Sequence, residues 1–216
     1  MAPEDYANVP ASRATGKFIM VRHGESESNR DRRFTISSEI PLTEVGIRQS
    51  EEAALRIAEL FKPEAVISSP FRRARHTSEI IAARLRLPIE IAQDLREREL
   101  GVLKGQPYEN SREMRRKDPS YDRTQKWPWR PPGGESYEDV RRRAIGAFES
   151  LLTEYSASEI VVVSHGVVMR SVWAHIVGGW QGTHLPPNCG IVLVEHDGSR
   201  MDAPMILQSK ESGEPE

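Results

Sequence analysis

The stretch KFIMVRHGESESN, residues 17–29, decides the fold of this chain. Its four apolar residues, FIMV, form a short continuous run, which is typical of a strand buried on both faces of a parallel sheet. The run ends in Arg22, His23 and Gly24, although a sheet does not readily bury arginine or histidine. A similar ending occurs far downstream, in EIVVVSHGVVMR at residues 159–170. Both stretches therefore predict a buried strand whose carboxyl end presents a histidine and a glycine.

Short apolar runs alternate with helical patterns along the rest of the chain. The run AVIS at residues 65–68 lies between helical patterns at residues 43–61 and 72–85. A further amphipathic pattern, which ends at Tyr155, leads directly into the run IVVV. This alternation predicts an α/β fold, a three-layer sandwich in which helices flank a mostly parallel sheet. Two β-like runs about the DGS turn at residues 197–199 predict a hairpin that closes the sheet.

The composition of successive segments predicts one domain with polar ends. Residues 1–16 are rich in Ala, Pro, Ser and Gly, so we expect a flexible N-terminal arm, and residues 209–216 read as a polar tail. We assign residues 17–208 to a single domain. Within it, residues 101–139 hold few aliphatic residues and many Pro, Gly and basic ones, which indicates a lid or insertion.

Charge and cysteine content exclude several classes of protein. The 216 residues include 30 basic and 32 acidic ones, and a net charge of −2 creates no overall field that attracts nucleic acid or an acidic membrane. The only cysteine, Cys189, excludes an internal disulfide and is interpreted as a small buried strand residue. No apolar stretch approaches the roughly 20 residues that span a bilayer, and no secretory signal is recognisable. We expect a cytoplasmic protein with no nucleic-acid or membrane partner, and a homodimer stays open.

Polar side chains follow three of the predicted strands. Ligands of open α/β sheets bind beyond the carboxyl ends of the strands, where helix N-termini favour anions. Arginine offers a planar fork for phosphate oxygens, and each glycine after a histidine removes a Cβ that would separate a ligand from the backbone amides. The pattern therefore predicts a site that handles phosphate. Its residues are Arg22, His23 and Gly24 after FIMV, Ser68, Ser69, Arg72 and Arg73 after AVIS, and Ser164, His165 and Gly166 after IVVV.

Two other kinds of site fit the sequence less well. A metal site is disfavoured because the chain has no HExxH or His-x-His motif, and because Arg22 beside His23 would repel a cation. A cysteine phosphatase is disfavoured because no arginine-closing loop follows Cys189. We therefore expect no bound metal.

Four blocks of the sequence, in order, resemble the signature of a known family. They are VRHGESESN, SSPFRRARHT, LRERELGVLKG and VVVSHG, and together with their surroundings they cover about residues 17–195. The family is the histidine phosphatase superfamily, also called the phosphoglycerate mutase-like family. The resemblance implies an enzyme that transfers a phosphoryl group through a phosphohistidine and requires no metal or organic cofactor.

The resemblance implies a role for each matching residue. His23 matches the nucleophile, whose second ring nitrogen is held by the backbone near Gly24. Arg22, Arg73 and His165 match the groups that grip the transferring oxygens. The family arginine directly precedes the alanine of an Arg-Ala-x-x-Thr string, a place that Arg73 fills.

The third block and the segment after the nucleophile supply further residues. Glu97 matches the general acid, whereas Glu99 is expected to face away as a solvated charge. A carboxyl group beside a phosphate dianion is harder to ionise, which suits an acid that works near neutrality. Asn29 matches a phosphate-binding amide. The remaining phosphate or substrate contacts implied are Gly24, Gly166, Thr35 and Arg98.

Features around the core favour a phosphatase over a mutase. Tyr108 stands where the mutases have a lysine, and Ile36 stands where their substrate segment has a glycine. The string PGGESYEDV at residues 132–140 resembles phosphatase members, although its first residues could equally form a helix-opening turn capped by Ser136. We predict a phosphomonoester hydrolase that acts on a small phosphorylated metabolite. The alternative is a 2,3-bisphosphoglycerate-dependent phosphoglycerate mutase.

A third hypothesis comes from a different class of protein. The basic and aromatic run from Arg115 to Arg130 is typical of a surface that holds single-stranded nucleic acid by charge and stacking. The net negative charge and the filled catalytic positions disfavour this interpretation. We prefer a lid that excludes water from the phosphoenzyme.

Overall fold

A computed structural model describes residues 16–124 and 126–207, which fold around a six-stranded sheet. The order across the sheet is β3-β2-β4-β1-β5-β6. The first four strands are mutually parallel, and the last two pair antiparallel, β5 with β1 and β6 with β5. This mixed, mostly parallel sheet and its closing hairpin confirm the predicted arrangement. The strands are β1 (Gly16–Arg22), β2 (Ala65–Ser68), β3 (Ile89–Ile91), β4 (Glu159–Ser164), β5 (Ile191–His196) and β6 (Met205–Leu207).

In the described part of the chain, six α-helices connect or flank these strands. Thr43 begins the second helix by accepting a hydrogen bond from the Gly46 N–H at 3.0 Å, and Ser136 begins the fifth through a capping box with Asp139. No helix in the described ranges is long and apolar enough to cross a membrane. The helices are α1 (Glu27–Arg30), α2 (Glu44–Leu60), α3 (Arg72–Leu85), α4 (Asn110–Lys117), α5 (Tyr137–Glu154) and α6 (Gly166–Ile176), with 3₁₀ turns at Gln93–Leu95 and Gly101–Leu103.

The central strand β1 shows how the three layers form. Successive side chains of a strand point to opposite faces of the sheet. Phe18 and Met20 accordingly pack in a buried cluster with α5 and α6, while Ile19 and Val21 pack on the other face with α2 and α3. All four are at most 2% exposed. The run FIMV is therefore a core strand covered by helices on both faces, and the three-layer α/β fold is confirmed.

The segment 101–139 contains ordered structure of its own. It includes α4, and Trp129 is buried in a small cluster with Leu100 and Leu103. Its first part is joined to residues 32–34, since the Tyr108 N–H donates to the Arg32 carbonyl at 3.1 Å. These local contacts provide a second, smaller apolar cluster, and the interpretation of the segment as a lid stays a prediction.

The start of β1 differs by one residue from the predicted start of the domain. Gly16, which we assigned to the N-terminal arm, is the first residue of β1. Residues 1–15 and 208–216, which hold the rest of the arm and the whole polar tail, lie outside the described residues.

Candidate active site

The carboxyl ends of three neighbouring strands bring the predicted site together. Strand β4 lies between β1 and β2, and its residue Ser164 is the register partner of Arg22. His23 follows β1, His165 precedes α6, and Arg73 is the second residue of α3, which follows β2. Arg73 Nε donates to His23 Nε2 at 3.0 Å, and Arg73 Nη2 donates to His165 Nδ1 at 3.2 Å. One guanidinium therefore joins both histidines.

The hydrogen bonds of His23 assign its tautomer. Its Nδ1 lies 2.7 Å from the Gly24 carbonyl oxygen, an acceptor, so Nδ1 carries the proton and Nε2 holds the lone pair. Burial, followed by the positive charges of Arg73 and Arg22, holds the pKa of His23 well below its usual value. The ring is therefore neutral near pH 7. This is the arrangement of a nucleophile that attacks through Nε2, and the bond to Gly24 is the one that the resemblance implies.

His165 is placed differently from the expectation. Its Nδ1 accepts from Arg73, so Nε2 carries the proton and donates to Ser69 Oγ at 2.7 Å. The side chain is fully buried, and burial with the nearby charge of Arg73 lowers its pKa well below the usual value. His165 does not line the main cavity. Its expected contact with the transferring oxygens stays a prediction.

A cavity of about 470 Å³ opens in front of His23. Eight of the ten predicted site residues line it. They are Arg22, His23, Asn29, Thr35, Arg73, Glu97, Arg98 and Gly166. The wall also contains residues for which no role in binding was predicted, among them Tyr108, Tyr137, Arg170, Leu185 and Asn188.

Three buried guanidinium nitrogens in this wall have no hydrogen-bond partner among the described residues. They are Arg22 Nε, Arg73 Nη1 and Arg98 Nη2. Burial lowers the pKa of Arg73 to about 10, which leaves it positively charged at neutral pH. A buried donor without an acceptor is costly, and a donor on a charged group is costlier still. An anion in the cavity would supply the missing acceptors.

The choice between neighbouring residues agrees with their surroundings. Arg73 is 3% exposed and lines the cavity, whereas Arg72 is exposed on the surface. Glu97 lines the cavity, and its Oε1 accepts from the Arg98 N–H at 2.8 Å. Glu99 is exposed and pairs with Lys104 at 2.7 Å. Arg73 and Glu97 can therefore reach a ligand in this cavity, whereas their neighbours on the surface cannot.

Gly24 serves a purpose other than the expected one. A Cβ at this position would lie 2.3 Å from the Gly46 carbonyl oxygen in α2, and the Gly24 N–H donates to Thr77 Oγ1 at 3.0 Å. Gly24 does not line the cavity, and its amide is already occupied. The glycine therefore permits close packing of β1 against α2, and the expectation that it opens an amide to the ligand is corrected.

Asn29 belongs to a network that the sequence did not predict. Its Oδ1 accepts from Ser26 and from Asn188 Nδ2, and its Nδ2 donates to the Tyr108 hydroxyl at 3.3 Å. Asn188 also donates to the His23 carbonyl at 3.0 Å. Because its oxygen is engaged by the protein and one Nδ2 hydrogen by Tyr108, only the second Nδ2 hydrogen of Asn29 is left for a ligand. Asn188 lies in a loop without a motif, so only its spatial position reveals it.

Cys189 lies in a turn, with φ of 54°, and not on a strand as expected. Its N–H donates to the Arg22 carbonyl at 3.0 Å, and burial raises the pKa of its thiol to about 11. The residue is therefore a protonated thiol behind the nucleophile strand. The strand interpretation failed because β5 begins only at Ile191.

The glycine-rich turn before α5 contacts a residue of the cavity wall but does not line the cavity itself. Gly133, Gly134 and Glu135 do not line the cavity, and Ser136 caps the helix, so the interpretation as a helix-opening turn is confirmed. The turn still bears on the site, because Arg98 Nε donates to the Glu135 carbonyl at 2.6 Å. Within residues 16–124 and 126–207, no group of three His, Cys, Asp or Glu side chains could hold a metal ion.

Comparison with known proteins places this geometry in a family. A model described as "Histidine phosphatase superfamily (branch 1)" matches residues 18–205. "Uncharacterized phosphatase PhoE" of Bacillus subtilis is 30% identical over 174 residues, which cover 79% of this chain and 83% of that protein. "Probable phosphoglycerate mutase GpmB" of Shigella boydii is 32% identical over 192 residues, which cover 83% and 85%. The solved structure of Bacillus stearothermophilus YhfR has a TM-score of 0.76 at 27% identity and covers 87% of this chain and 95% of that one.

Proposed function

The chain belongs to the histidine phosphatase superfamily and is a phosphatase of that family, and from this premise we propose that it hydrolyses small phosphate monoesters through a phosphohistidine on His23. The observation that carries the proposal is the surroundings of that ring. His23 is buried and neutral, its Nδ1 proton is held by Gly24, and Arg22 and Arg73 offer unpaired donors in the same cavity.

In the first half of the reaction, Arg73 Nε exchanges its hydrogen bond to His23 Nε2 for one to a phosphoryl oxygen, and the freed lone pair on Nε2 attacks the phosphorus atom. A bond from Nε2 to phosphorus forms while the ester P–O bond breaks, and protonated Glu97 gives its proton to the leaving oxygen. The ring becomes positively charged, and its Nδ1–H bond to the Gly24 carbonyl stabilises that charge. Arg22 and Arg73 neutralise the phosphoryl oxygens, which is the largest electrostatic contribution that this site can make.

In the second half, water replaces the histidine. Glu97, now a carboxylate, takes a proton from the water as its oxygen bonds to phosphorus, the P–N bond breaks, and inorganic phosphate leaves. The lone pair returns to Nε2, so that the enzyme ends as it began. His165 acts on this cycle through Arg73, because its buried ring accepts a hydrogen bond at Nδ1 from Arg73 Nη2.

The size and chemistry of the cavity favour hydrolysis of a small metabolite. A volume of about 470 Å³ falls in the range of small-ligand sites, roughly 300–1,000 Å³. Tyr108, which stands where the resembling mutases have a lysine, is an uncharged residue of the wall and pairs with Asn29. A mutase must hold a phosphorylated product for a second transfer, and the missing lysine charge disfavours that second step.

The segment 101–139 forms part of the wall, and we propose that it covers the substrate. Tyr108, Ser111 and Tyr137 line the cavity from this segment. Closure over the bound ester would exclude bulk water from the phosphohistidine.

A screen for phosphate release tests the proposal. The purified protein is assayed on sugar phosphates, glycerate phosphates, phosphoamino acids and nucleotides, and 3-phosphoglycerate is also followed for conversion to its isomer. We expect phosphate release from at least one small ester. Turnover of 3-phosphoglycerate to its isomer with no phosphate release from any ester would establish the mutase instead.

The role of Glu97 is tested by the leaving group. Glu97→Gln should lower kcat on an alkyl phosphate by about 10²- to 10⁴-fold, the usual contribution of positioned proton transfer. The loss in the phosphoryl-transfer step should be smaller on para-nitrophenyl phosphate, whose leaving group needs no proton. Glu99→Gln, two residues away and outside the cavity, is the matched control. Equal losses of kcat/KM on both substrates, a quantity that excludes the shared hydrolysis of the phosphoenzyme, would remove Glu97 from the acid role.

A further inference from the structure

A second cationic depression lies outside the active site. It has a volume of about 310 Å³ and is formed by α4 and the loop that follows it. None of its lining residues lines the cavity in front of His23. They are Arg112, Arg115, Arg116, Tyr121 and Arg123, which we call the α4 arginine cluster.

The α4 arginine cluster concentrates positive charge around one depression. No carboxylate lines the depression, and no ion pair joins its four guanidiniums to an acidic residue in the described part of the chain. Nearby acids are engaged elsewhere, since Glu113 pairs with Lys117 at 2.6 Å and Asp118 Oδ2 accepts from Trp129 Nε1 at 2.8 Å. Asp122 Oδ1 accepts from the backbone N–H two residues later. Four like charges around one depression repel one another, and an anion would relieve that repulsion.

Aromatic packing fixes part of the cluster in place. The guanidinium of Arg115 lies 5.8 Å from the centroid of the Tyr121 ring and 5.9 Å from that of Trp129. The Trp129 side chain is in turn buried against Leu100 and Leu103. The small apolar cluster of the segment thus supports the charged surface, and a guanidinium held in advance loses less entropy on binding.

The chemistry of the cluster indicates phosphate groups. Guanidinium forks match phosphate oxygens in pairs, and four of them suit a ligand with several charged oxygens better than a single carboxylate. The volume lies at the lower end of the range for small-molecule sites, roughly 300–1,000 Å³. A small ligand with two or more linked phosphates meets both conditions.

The neighbouring aromatic residues do not favour nucleic acid. Single strands stack their bases on exposed aromatic rings along a groove. Trp129 is 6% exposed, and Trp127 stacks on Trp180 at 4.7 Å with an interplanar angle of 14°. Lys126 and Arg170 also lie over the Trp127 ring. Both tryptophans of the basic run are therefore occupied within the protein.

We propose that the α4 arginine cluster is a second anion-binding site, separate from the phosphatase site, which takes a small ligand with linked phosphates. Inorganic polyphosphates and nucleoside polyphosphates share this chemistry. The proposal does not depend on the catalytic role of His23.

Calorimetric titration separates the two sites by stoichiometry. Inorganic tripolyphosphate is titrated into His23→Ala, in which turnover is prevented, and into the same variant carrying Arg112→Gln and Arg116→Gln. Glutamine keeps the helix propensity of arginine, so α4 should persist. We expect two sites in the first protein. In the second, the affinity of the cluster for tripolyphosphate should fall at least tenfold, which leaves one measurable site. Lys117→Gln, on the same helix but paired with Glu113, is the matched control and should keep both sites.

Further arms make each outcome decisive. Adenosine triphosphate in place of tripolyphosphate tells whether a nucleoside is accepted, and binding of either at the second site supports the proposal. In a protein that retains His23, the double variant Arg112→Gln and Arg116→Gln should turn over para-nitrophenyl phosphate at a rate within about twofold of wild type. One site in both proteins, or two sites unaffected by the arginine variants, would overturn the proposal. So would a single-stranded oligonucleotide that binds the cluster more tightly than tripolyphosphate in a gel-shift assay, since the surface would then belong to nucleic acid.

Discussion

The two His-Gly pairs at the ends of β1 and β4 share a local sequence but differ in what their neighbours allow. His23 donates from Nδ1 to the Gly24 carbonyl and accepts from Arg73 Nε at Nε2, and its ring lines the cavity. His165 also has both nitrogens engaged, by Arg73 and Ser69, but it does not line the cavity. Identical dipeptides on adjacent parallel strands thus serve two purposes. Access to the cavity, more than the dipeptide itself, decides which histidine can attack a substrate.

The glycines that follow the two histidines, Gly24 and Gly166, also differ in what surrounds them. A Cβ on Gly24 would meet the backbone of α2 at Gly46, whereas a Cβ on Gly166 would meet the side chain of Leu185 at 2.6 Å. Backbone cannot move aside, but Leu185 is 51% exposed and can. The β1 end is therefore rigid because of its packing, and the β4 end tolerates change beside the ring.

The largest difference between the two ends should appear in activity. His23→Ala removes the nucleophile, so kcat should fall by at least about 10⁴-fold. His165→Ala removes an acceptor of Arg73 and should cost about 10²- to 10³-fold, as for loss of one electrostatic group. Steady-state phosphate release, after circular dichroism has verified folding, measures both. Equal losses would make the two histidines a single functional unit and break the comparison.

The next largest difference concerns stability. Gly24→Ala places a Cβ against fixed backbone and should lower the free energy of unfolding by about 3 kcal/mol, the upper part of the range for overpacking. Gly166→Ala should stay within about 1 kcal/mol of wild type, because Leu185 can move and alanine favours the helix. Urea denaturation of both variants measures the gap. A smaller loss for Gly24→Ala than for Gly166→Ala would show that the packing of Gly24 on Gly46 is misassigned.

A smaller effect is expected where Ser69 holds the His165 ring. Ser69→Ala leaves the buried Nε2–H of His165 without an acceptor, which should cost about 1–2 kcal/mol of stability and also lower kcat several-fold through Arg73. Ser68→Ala is the matched control, since buried Ser68 pairs with Ser78 and with the Ser69 carbonyl, whereas the His165 ring is held by Ser69 and Arg73. Both variants should lose stability, but only Ser69→Ala should lose kcat at unchanged KM. Unchanged kcat in Ser69→Ala would reduce Ser69 to a packing residue.

The smallest difference should be in pH dependence, where the two rings behave alike. Burial lowers the pKa of both histidines, so below about pH 6.5 the unfolded chain binds more protons than the folded one. Stability is then greatest above that pH and falls as the pH decreases below it. Urea midpoints at about pH 7.5 and about pH 5.5 measure the fall, and His23→Ala and His165→Ala should each reduce it. A midpoint that does not change over this interval, or rises towards acid, contradicts the neutral assignment of both rings.

Local features of the sequence predicted much of the fold. The run AVIS and the pattern RRARHTSEIIAARL coincide with β2 and α3, because strand and helix periodicities depend on residues close in sequence. The preference for Arg73 over Arg72 came from a motif, and burial agrees with it. Seven of the eight proposed site residues that meet at one cavity follow a strand or lie in a signature block, and Thr35 is the exception.

Contacts between distant segments could not be predicted in this way. Ser69 and His165 are 96 positions apart, and Asn188 and His23 are 165 apart, so these hydrogen bonds depend on the order of the strands. The purpose of Gly24 was misread because it depends on the approach of α2. The position of Cys189 in a turn depends likewise on the residue at which β5 begins. Sequence motifs identified the chemical groups, but only the packed structure assigned the partner of each group.

The central claim is that the phosphoryl group is carried by Nε2 of His23. It is tested by mixing the enzyme with a substrate found in the phosphate-release screen, quenching in alkali within the first turnover and locating the modification by mass spectrometry of peptides. We expect one phosphoryl group on the peptide that contains His23, stable in alkali and lost in acid, and no adduct in His23→Ala. A phosphoryl group on His165, or hydrolysis at full rate with no phosphohistidine at any time point, would contradict the account.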